Sequence, residues 1–315
     1  MIAWYSRNWS GSLGYIQAKI LPELDKICGV VFDDDVTPAQ MPERPEWLRD
    51  MFARSAVSER PDTCVVFGAE WNVPPQIAGR YSRVFIYCTS RWSLDVPSFA
   101  GGVDRFIVPS YWAQAQLDER RRALSCVVPH GVDLEVFKPA RRTGGRNGLR
   151  VLTVTTASRP SKRLDRVVGC FLEAFPTGGA VLTVKVPSDV FYYGRHLLDL
   201  DTVKTIVKDE RVTFLPGPIS EEELAELYRQ HDVFLYASEW ETFGLSVAEA
   251  RACGLSLVVE PVTALAEQLE GADIRFSADR LRACAEGAAF KTKTKPITWA
   301  QSAQLLAEVI CNGGE

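Results

Sequence analysis

Short apolar runs alternate with longer periodic segments along the whole chain. Runs at 2–5, 29–32, 63–67, 84–87, 105–108 and 126–128 read as strands of a first half. Runs at 149–154, 181–186, 212–215, 233–236 and 256–259 read as strands of a second. They are continuous rather than alternating, as parallel strands covered on both faces require. Segments 164–175 and 221–230 repeat their apolar positions with helical period. Asp165 and Ser220 are the candidates to start them, and acids crowd the first turn of the latter. Between the halves, 138–148 combines Gly, a Pro and basic charge and reads as a linker. The pattern predicts an α/β protein of two doubly wound, Rossmann-like domains, 1–137 and 149–296, with a final helix in 297–315 and an interdomain cleft. Ligands of such folds sit at the carboxyl ends of strands.

Composition narrows the classes. The 315 residues suit two domains of ordinary size, and 46% hydrophobic with 24% charged residues is a globular composition. A net charge of −4 supplies no bulk attraction to nucleic acid or anionic membrane. No apolar run reaches about 18 residues, so no integral membrane segment is expected. The first residues read as a strand and not as a secretion signal. Eight cysteines are scattered, mostly inside apolar runs, with no CxxC pair. That usage predicts reduced thiols and a cytoplasmic protein.

The most specific chemistry lies in 238–254, Ser-Glu-Trp-Glu-Thr-Phe-Gly-Leu-Ser-Val-Ala-Glu-Ala-Arg-Ala-Cys-Gly. A buried strand turns through Gly244 into a short helix that Gly254 ends. A helix N-terminus offers unsatisfied N–H groups and partial positive charge to an anion. Glu241 before the turn and Glu249 inside the helix are acceptors only, which suits sugar hydroxyls. Amides for a diphosphate beside carboxylates for hydroxyls describe a nucleotide-sugar site. The bland alternative is a surface helix with two solvated acids.

This stretch resembles the Glu-x7-Glu segment of retaining GT-B glycosyltransferases, the group 1 or family 4 type. The chain departs at Thr242 and Ser246, where the family often has Gly and Pro. Residues 127–133, with His130 in place of the family's Asn, are similar to the segment that closes the first domain. Residues 214–224 are similar to the lead-in to the helix before the motif strand. Residues 297–310 look like the terminal helix that crosses back to the first domain. The matches run from about 104 onward; the first hundred residues match in pattern only.

The resemblance implies a metal-independent transferase with no cofactor, using a UDP- or GDP-linked sugar. Thr242, Phe243, Gly244, Leu245 and Glu249 would bind the donor, with Glu249 on the ribose hydroxyls and Glu241 at the transferring sugar. Family members also place an Arg and a Lys on the loop after the first strand of the second domain. Here that loop holds Arg159, Lys162 and Arg163. Fixed cations stabilise a departing diphosphate without a metal. Arg159 and Lys162 are assigned to this task, with Arg163 competing for the lysine's role, and both side chains are expected on an exposed loop. A solvated basic loop is the bland alternative. Gly11 and Gly14, between the first strand and its helix, correspond to a glycine-rich loop that faces the donor, or to a tight turn.

Several features point elsewhere. Asp33 with Asp34 and Asp35, and Asp199 with Asp201, imitate a metal-binding Asp-x-Asp but read as a strand-end loop and a solvated helix face. Many relatives carry a first-domain histidine against the transferring sugar, and this chain has none before His130. Thr89, Ser90 and Arg91 are candidates to take its place, with Arg91 and Trp92 on the acceptor side. Residues 259–264 lack the paired glycines common in relatives. The acceptor stays open among glycan, lipid, small molecule and modified DNA base. Trp4, Trp9, Trp71, Trp92 and Trp112 permit a phage-type DNA-base glycosyltransferase, because a flipped base can stack on such rings. A sugar-nucleotide epimerase and a non-catalytic nucleotide-sugar binder share the fold.

Overall fold

The computed structural model describes residues 1–6, 11–33, 46–55, 59–68, 77, 79–89, 102–140, 148–156, 160–187, 190–193, 196–270 and 276–312. They form two compact units, Met1–Gly131 with Ile297–Glu315, and Val132–Pro296.

The first unit is built on β1 (Ile2–Tyr5), β2 (Val30–Phe32), β3 (Thr63–Gly68), β4 (Arg83–Cys88), β5 (Arg105–Val108) and β6 (Ser125–Val127). All neighbours pair in parallel, in the order β2-β1-β3-β4-β5-β6. Its helices are α1 (Gly11–Cys28), α2 (Glu46–Ser55), α3 (Tyr111–Ala115) and α4 (Glu119–Ala123). Helix α1 buries Ile16, Gln17, Ile20, Leu21 and Leu24, one helical stripe. Gly29, at φ 67°, follows it and donates its N–H to Asp25, a left-handed stop that glycine makes without strain.

The second unit holds β7 (Leu149–Val154), β8 (Ala180–Lys185), an antiparallel hairpin of β9 (Val190–Tyr193) and β10 (His196–Asp199), then β11 (Val212–Leu215), β12 (Val233–Tyr236) and β13 (Ser256–Val259). Its helices are α5 (Leu164–Ala174), α6 (Leu200–Val207), α7 (Glu221–Arg229), α8 (Leu245–Ala252), α9 (Ala264–Gln268) and α10 (Ala278–Ala285); α11 (Trp299–Asn312) returns to the first unit. The main sheet is parallel, ordered β11-β8-β7-β12-β13. From β7 the chain winds outward through β8 to β11, then crosses to β12 and winds the other way. The reversal falls between β7 and β12, the place where doubly wound sheets open a crevice for ligands.

Three expectations need correction. The change of unit lies between Gly131 and Val132, ahead of 138–148, because Val132 and Phe137 are buried in the second unit's core, Phe137 edge-on to Tyr228. Helix α1 starts at Gly11, so Gly14 is helical and not in a loop. The N-cap position of α5 is held by Arg163 in a left-handed conformation, without a side-chain cap, and not by Asp165. Ser220 does cap α7, in a reciprocal box with Glu223. Asp199 is the N-cap of α6, its carboxylate accepting the N–H of Thr202 at 2.8 Å.

Candidate active site

Three loops leave the carboxyl ends of the adjacent strands β7, β12 and β13, and they are tied together. The N–H of Glu239 donates to the carbonyl of Ser161 at 2.8 Å, and the buried Ser238 hydroxyl reaches the same oxygen at 3.2 Å. The loop after β7 is thereby docked on the loop after β12. Lys162 then pairs with Glu241 through Nζ and Oε1. Their side chains are only 15% and 11% exposed, so neither charge is left to water. Tyr236, the last residue of β12, donates to the same Glu241 oxygen at 2.5 Å and lies 3.4 Å from Lys162 Nζ. Burial, and next the charge of Glu241, hold the Tyr236 phenol well above its ordinary pKa, so it remains a donor.

Arg163 is turned away. At φ 33° it forks onto Asp165 at 3.1 and 2.9 Å and reaches Glu239 at 3.4 Å. Of the two competitors, Lys162 is therefore the cation beside Glu241. Its burial overturns the expectation of an exposed side chain. Arg159 lies outside the described residues, as do Arg91 and Trp92.

Glu241, Thr242, Phe243 and Gly244 lead into α8. Gly244 is the N-cap at φ 91°, and no side chain caps this helix. A Cβ at Gly244 would collide with Leu265 Cδ2, so both conformation and space require glycine. The amides of Leu245 and Ser246 open α8 ahead of any intrahelical acceptor, while that of Val247 already donates to the Gly244 carbonyl at 3.1 Å. Glu249, one turn in, is 7% exposed and accepts from the Tyr228 hydroxyl at 3.0 Å. Burial and the neighbouring Glu249 charge raise the Tyr228 pKa well above normal. The site thus offers a shielded cation, two carboxylates fixed by phenols, and an uncapped helix start. Such a set can hold a dianionic leaving group beside a hydroxyl-rich ring.

Nothing in the sequence marks Tyr228 or Tyr236 as part of a site. Tyr236 ends an apolar run and reads there as core. Gly11 opens α1 and Gly14 lies in its first turn, both in the first unit. Asp33 is buried in that unit, paired with Arg80 at 3.1 Å and hydrogen-bonded by Tyr81; Asp34 and Asp35 are outside the described residues. Among the described residues, no three His, Cys, Asp or Glu side chains stand together as a metal site. No described helix is long and apolar enough to cross a membrane. Trp4 is fully buried and bonded to Gln17 at 2.9 Å, which removes it as a stacking platform for a base.

The chain resembles known proteins in sequence over part of its length and in fold. Residues 201–283 match the family described as glycosyl transferases group 1. The chain is 36% identical over 159 residues to a D-inositol 3-phosphate glycosyltransferase of Mycobacteroides abscessus, a match covering 46% of this chain and 34% of the relative. The match therefore spans about a third of that relative's length. In solved structures the fold is similar to sucrose-phosphate synthase from Thermosynechococcus elongatus, with TM-score 0.61, 15% identity, and 99% and 98% of the two chains covered. It is also similar to the Anabaena HepE protein in complex with UDP and glucose, with TM-score 0.59, 14% identity, and 100% and 97% covered.

Proposed function

We propose that this chain, a relative of the group 1 glycosyl transferases with the GT-B fold, is a retaining glycosyltransferase. It moves a sugar from a nucleoside diphosphate to a hydroxyl acceptor. The observation that carries the reading is the Lys162–Glu241–Tyr236 cluster set beside the uncapped start of α8, at the reversal of the second sheet. UDP is the preferred nucleotide, because HepE, whose fold this chain shares, is solved with UDP and glucose.

The roles follow from charge. When the bond from the anomeric carbon to the diphosphate oxygen breaks, negative charge collects on the diphosphate and positive charge on the sugar. Lys162 has three donors; Glu241 and Tyr236 occupy two directions, leaving one for a phosphate oxygen. The α8 amides take others, and Arg159 supplies a second, forked cation. Glu241 accepts from the sugar's hydroxyls and faces the oxocarbenium-like centre. Glu249 accepts from the ribose. The acceptor hydroxyl attacks from the side the diphosphate leaves, and the departing phosphate oxygen takes its proton. Configuration is retained without a protein nucleophile and without a metal.

The test is calorimetry with UDP and GDP, then turnover of UDP-glucose and other UDP- and GDP-sugars with the product anomer read by NMR. Binding of a nucleoside diphosphate and an α-anomer from an α-linked donor are expected. Failure to bind either diphosphate, or an inverted product, sinks the proposal.

A further inference from the structure

Two residues beyond β13 touch the site: Thr263, in the segment where relatives commonly carry paired glycines, and Gln268. Thr263 stands at φ 55° and ψ −136°, a region a β-branched residue enters only against strain. Such an outlier persists where its surroundings demand it. Here the Thr263 hydroxyl accepts the backbone N–H of Glu241 at 2.8 Å. The carbonyl of Glu241 in turn accepts the N–H of Ala264 at 3.3 Å. Both backbone polar atoms of Glu241 are thus held by the segment that starts α9.

The other end of that short helix holds the phosphate turn. Gln268 is buried, and its amide nitrogen donates to the carbonyls of Phe243 and Gly244, the second at 3.3 Å. Its amide oxygen accepts from Arg251 Nη1 at 3.4 Å. Arginine only donates, so this contact decides which way the amide faces. Arg251 is fixed by the Thr292 hydroxyl at 3.1 Å, the Thr294 carbonyl at 3.3 Å and the Glu270 carboxylate at 3.7 Å. In a trans peptide the carbonyl and the N–H of one unit point in opposite directions. Carbonyl 243 is drawn to Gln268, and carbonyl 244 is shared between Gln268 and the α8 N–H groups of Val247 and Ala248, at 3.1 and 3.2 Å. The N–H groups of Gly244 and Leu245, which share those peptide units, must therefore point away from Gln268, and these are the amides open to an anion.

We infer that Thr263 and Gln268 are positioning residues of the donor site, which rests on the donor reading above: Thr263 sets where Glu241 stands, and Gln268 aims the amide of Gly244 at the diphosphate, beside the Leu245 amide that α8 itself orients. Neither side chain needs to touch a reacting atom. Their effects separate, because one governs the sugar side and the other the phosphate side.

The experiment compares Thr263→Val, Thr263→Ser, Gln268→Met and wild type by UDP calorimetry, UDP-glucose turnover and melting temperature. Thr263→Val keeps the shape and loses the hydroxyl. Its kcat is expected to fall about tenfold with UDP affinity unchanged, and Thr263→Ser to restore the rate. Gln268→Met keeps the volume and loses the donors. Its UDP affinity is expected to fall about tenfold. A purely structural role moves both readouts together with melting temperature in every variant, and that pattern overturns the inference. Wild-type affinity in Gln268→Met with wild-type kcat in Thr263→Val overturns it as well, while leaving the donor reading intact. A wild-type protein that binds neither UDP nor GDP overturns the donor reading, and this inference with it.

Discussion

The two parallel sheets of this chain end in different ways. Along the first unit's core, rings follow one another from Trp4 to Phe67, Tyr87, His130 and Trp299, with centroids 5.3 to 6.1 Å apart. His130 is fully buried there, and burial pushes its imidazole pKa down to about 3, so the ladder is neutral at physiological pH. The carboxyl edge of the second sheet instead carries Lys162, Glu241 and Glu249, each shielded and each bonded to a partner. A doubly wound sheet supplies an edge but no chemistry. The chemistry comes from which side chains the loops bring there, and buried charge is tolerated only when paired and hydrogen-bonded.

The largest expected effect breaks the charged edge. Glu241→Gln is predicted to lower sugar transfer by about two to three orders of magnitude, roughly 2.7–4 kcal/mol, while sparing affinity for free UDP. Steady-state transfer beside UDP calorimetry checks it, and undiminished transfer would remove Glu241 from the mechanism. Lys162→Ala is predicted to lose a similar factor. It also leaves Glu241, 8% exposed, without its cation, at a cost of about 3 kcal/mol in stability. Chemical denaturation measures that second loss, which a solvated lysine would not produce. Next in size, Glu249→Gln is predicted to weaken UDP binding about tenfold, the loss of one charged hydrogen bond to the ribose. Equal weakening in Glu241→Gln means that the two acids have been assigned to the wrong ends of the donor.

The neutral ladder makes a smaller, pH-dependent prediction. The folded pKa of His130, about 3, lies below the unfolded value of 6.5. Its contribution to stability is full above pH 6.5 and declines as pH falls toward 3, because the unfolded chain takes up the proton first. The slope is about 1.4 kcal/mol per pH unit within that window. His130→Asn removes this titration, and its denaturation midpoint is expected to vary less between pH 4 and 6.5 than that of wild type. Identical acid limbs would show the ring to be accessible. The smallest effect belongs to Arg163→Ala, predicted within about threefold of wild-type transfer because its guanidinium is already forked onto Asp165. Chelator is likewise expected to leave the rate unchanged; recovery by added manganese or magnesium after a complete loss would replace the lysine clamp with a metal-held diphosphate.

Much of this molecule was legible along the chain because the deciding interactions are local. Strands at 2–5, 105–108, 149–154, 212–215, 233–236 and 256–259 fall where continuous apolar runs put them. A parallel strand covered on both faces tolerates little polarity. Glu241, Gly244 and Glu249 share one short stretch, and Ser220 with Glu223 spells its own cap. The hairpin of β9 and β10 was not foreseen, since its run reads ambiguously between strand and loop. Nor was the division at Gly131, which depends on where Val132 and Phe137 find their core.

By itself, then, the sequence determined two parallel α/β units, a glycine turn between two acids, and a basic loop placed to meet them. Only the tertiary structure decided that Lys162 faces Glu241 while Arg163 turns to Asp165, a choice made by one left-handed residue and a docked loop. It alone brought Tyr228 to Glu249, Tyr236 to Lys162, and Thr263 and Gln268 to the turn that carries the acids. Most of those partners lie more than a helix apart in sequence and are joined by single hydrogen bonds. Periodicity and motif spacing report on local geometry, and a contact made across a folded sheet leaves no mark in either.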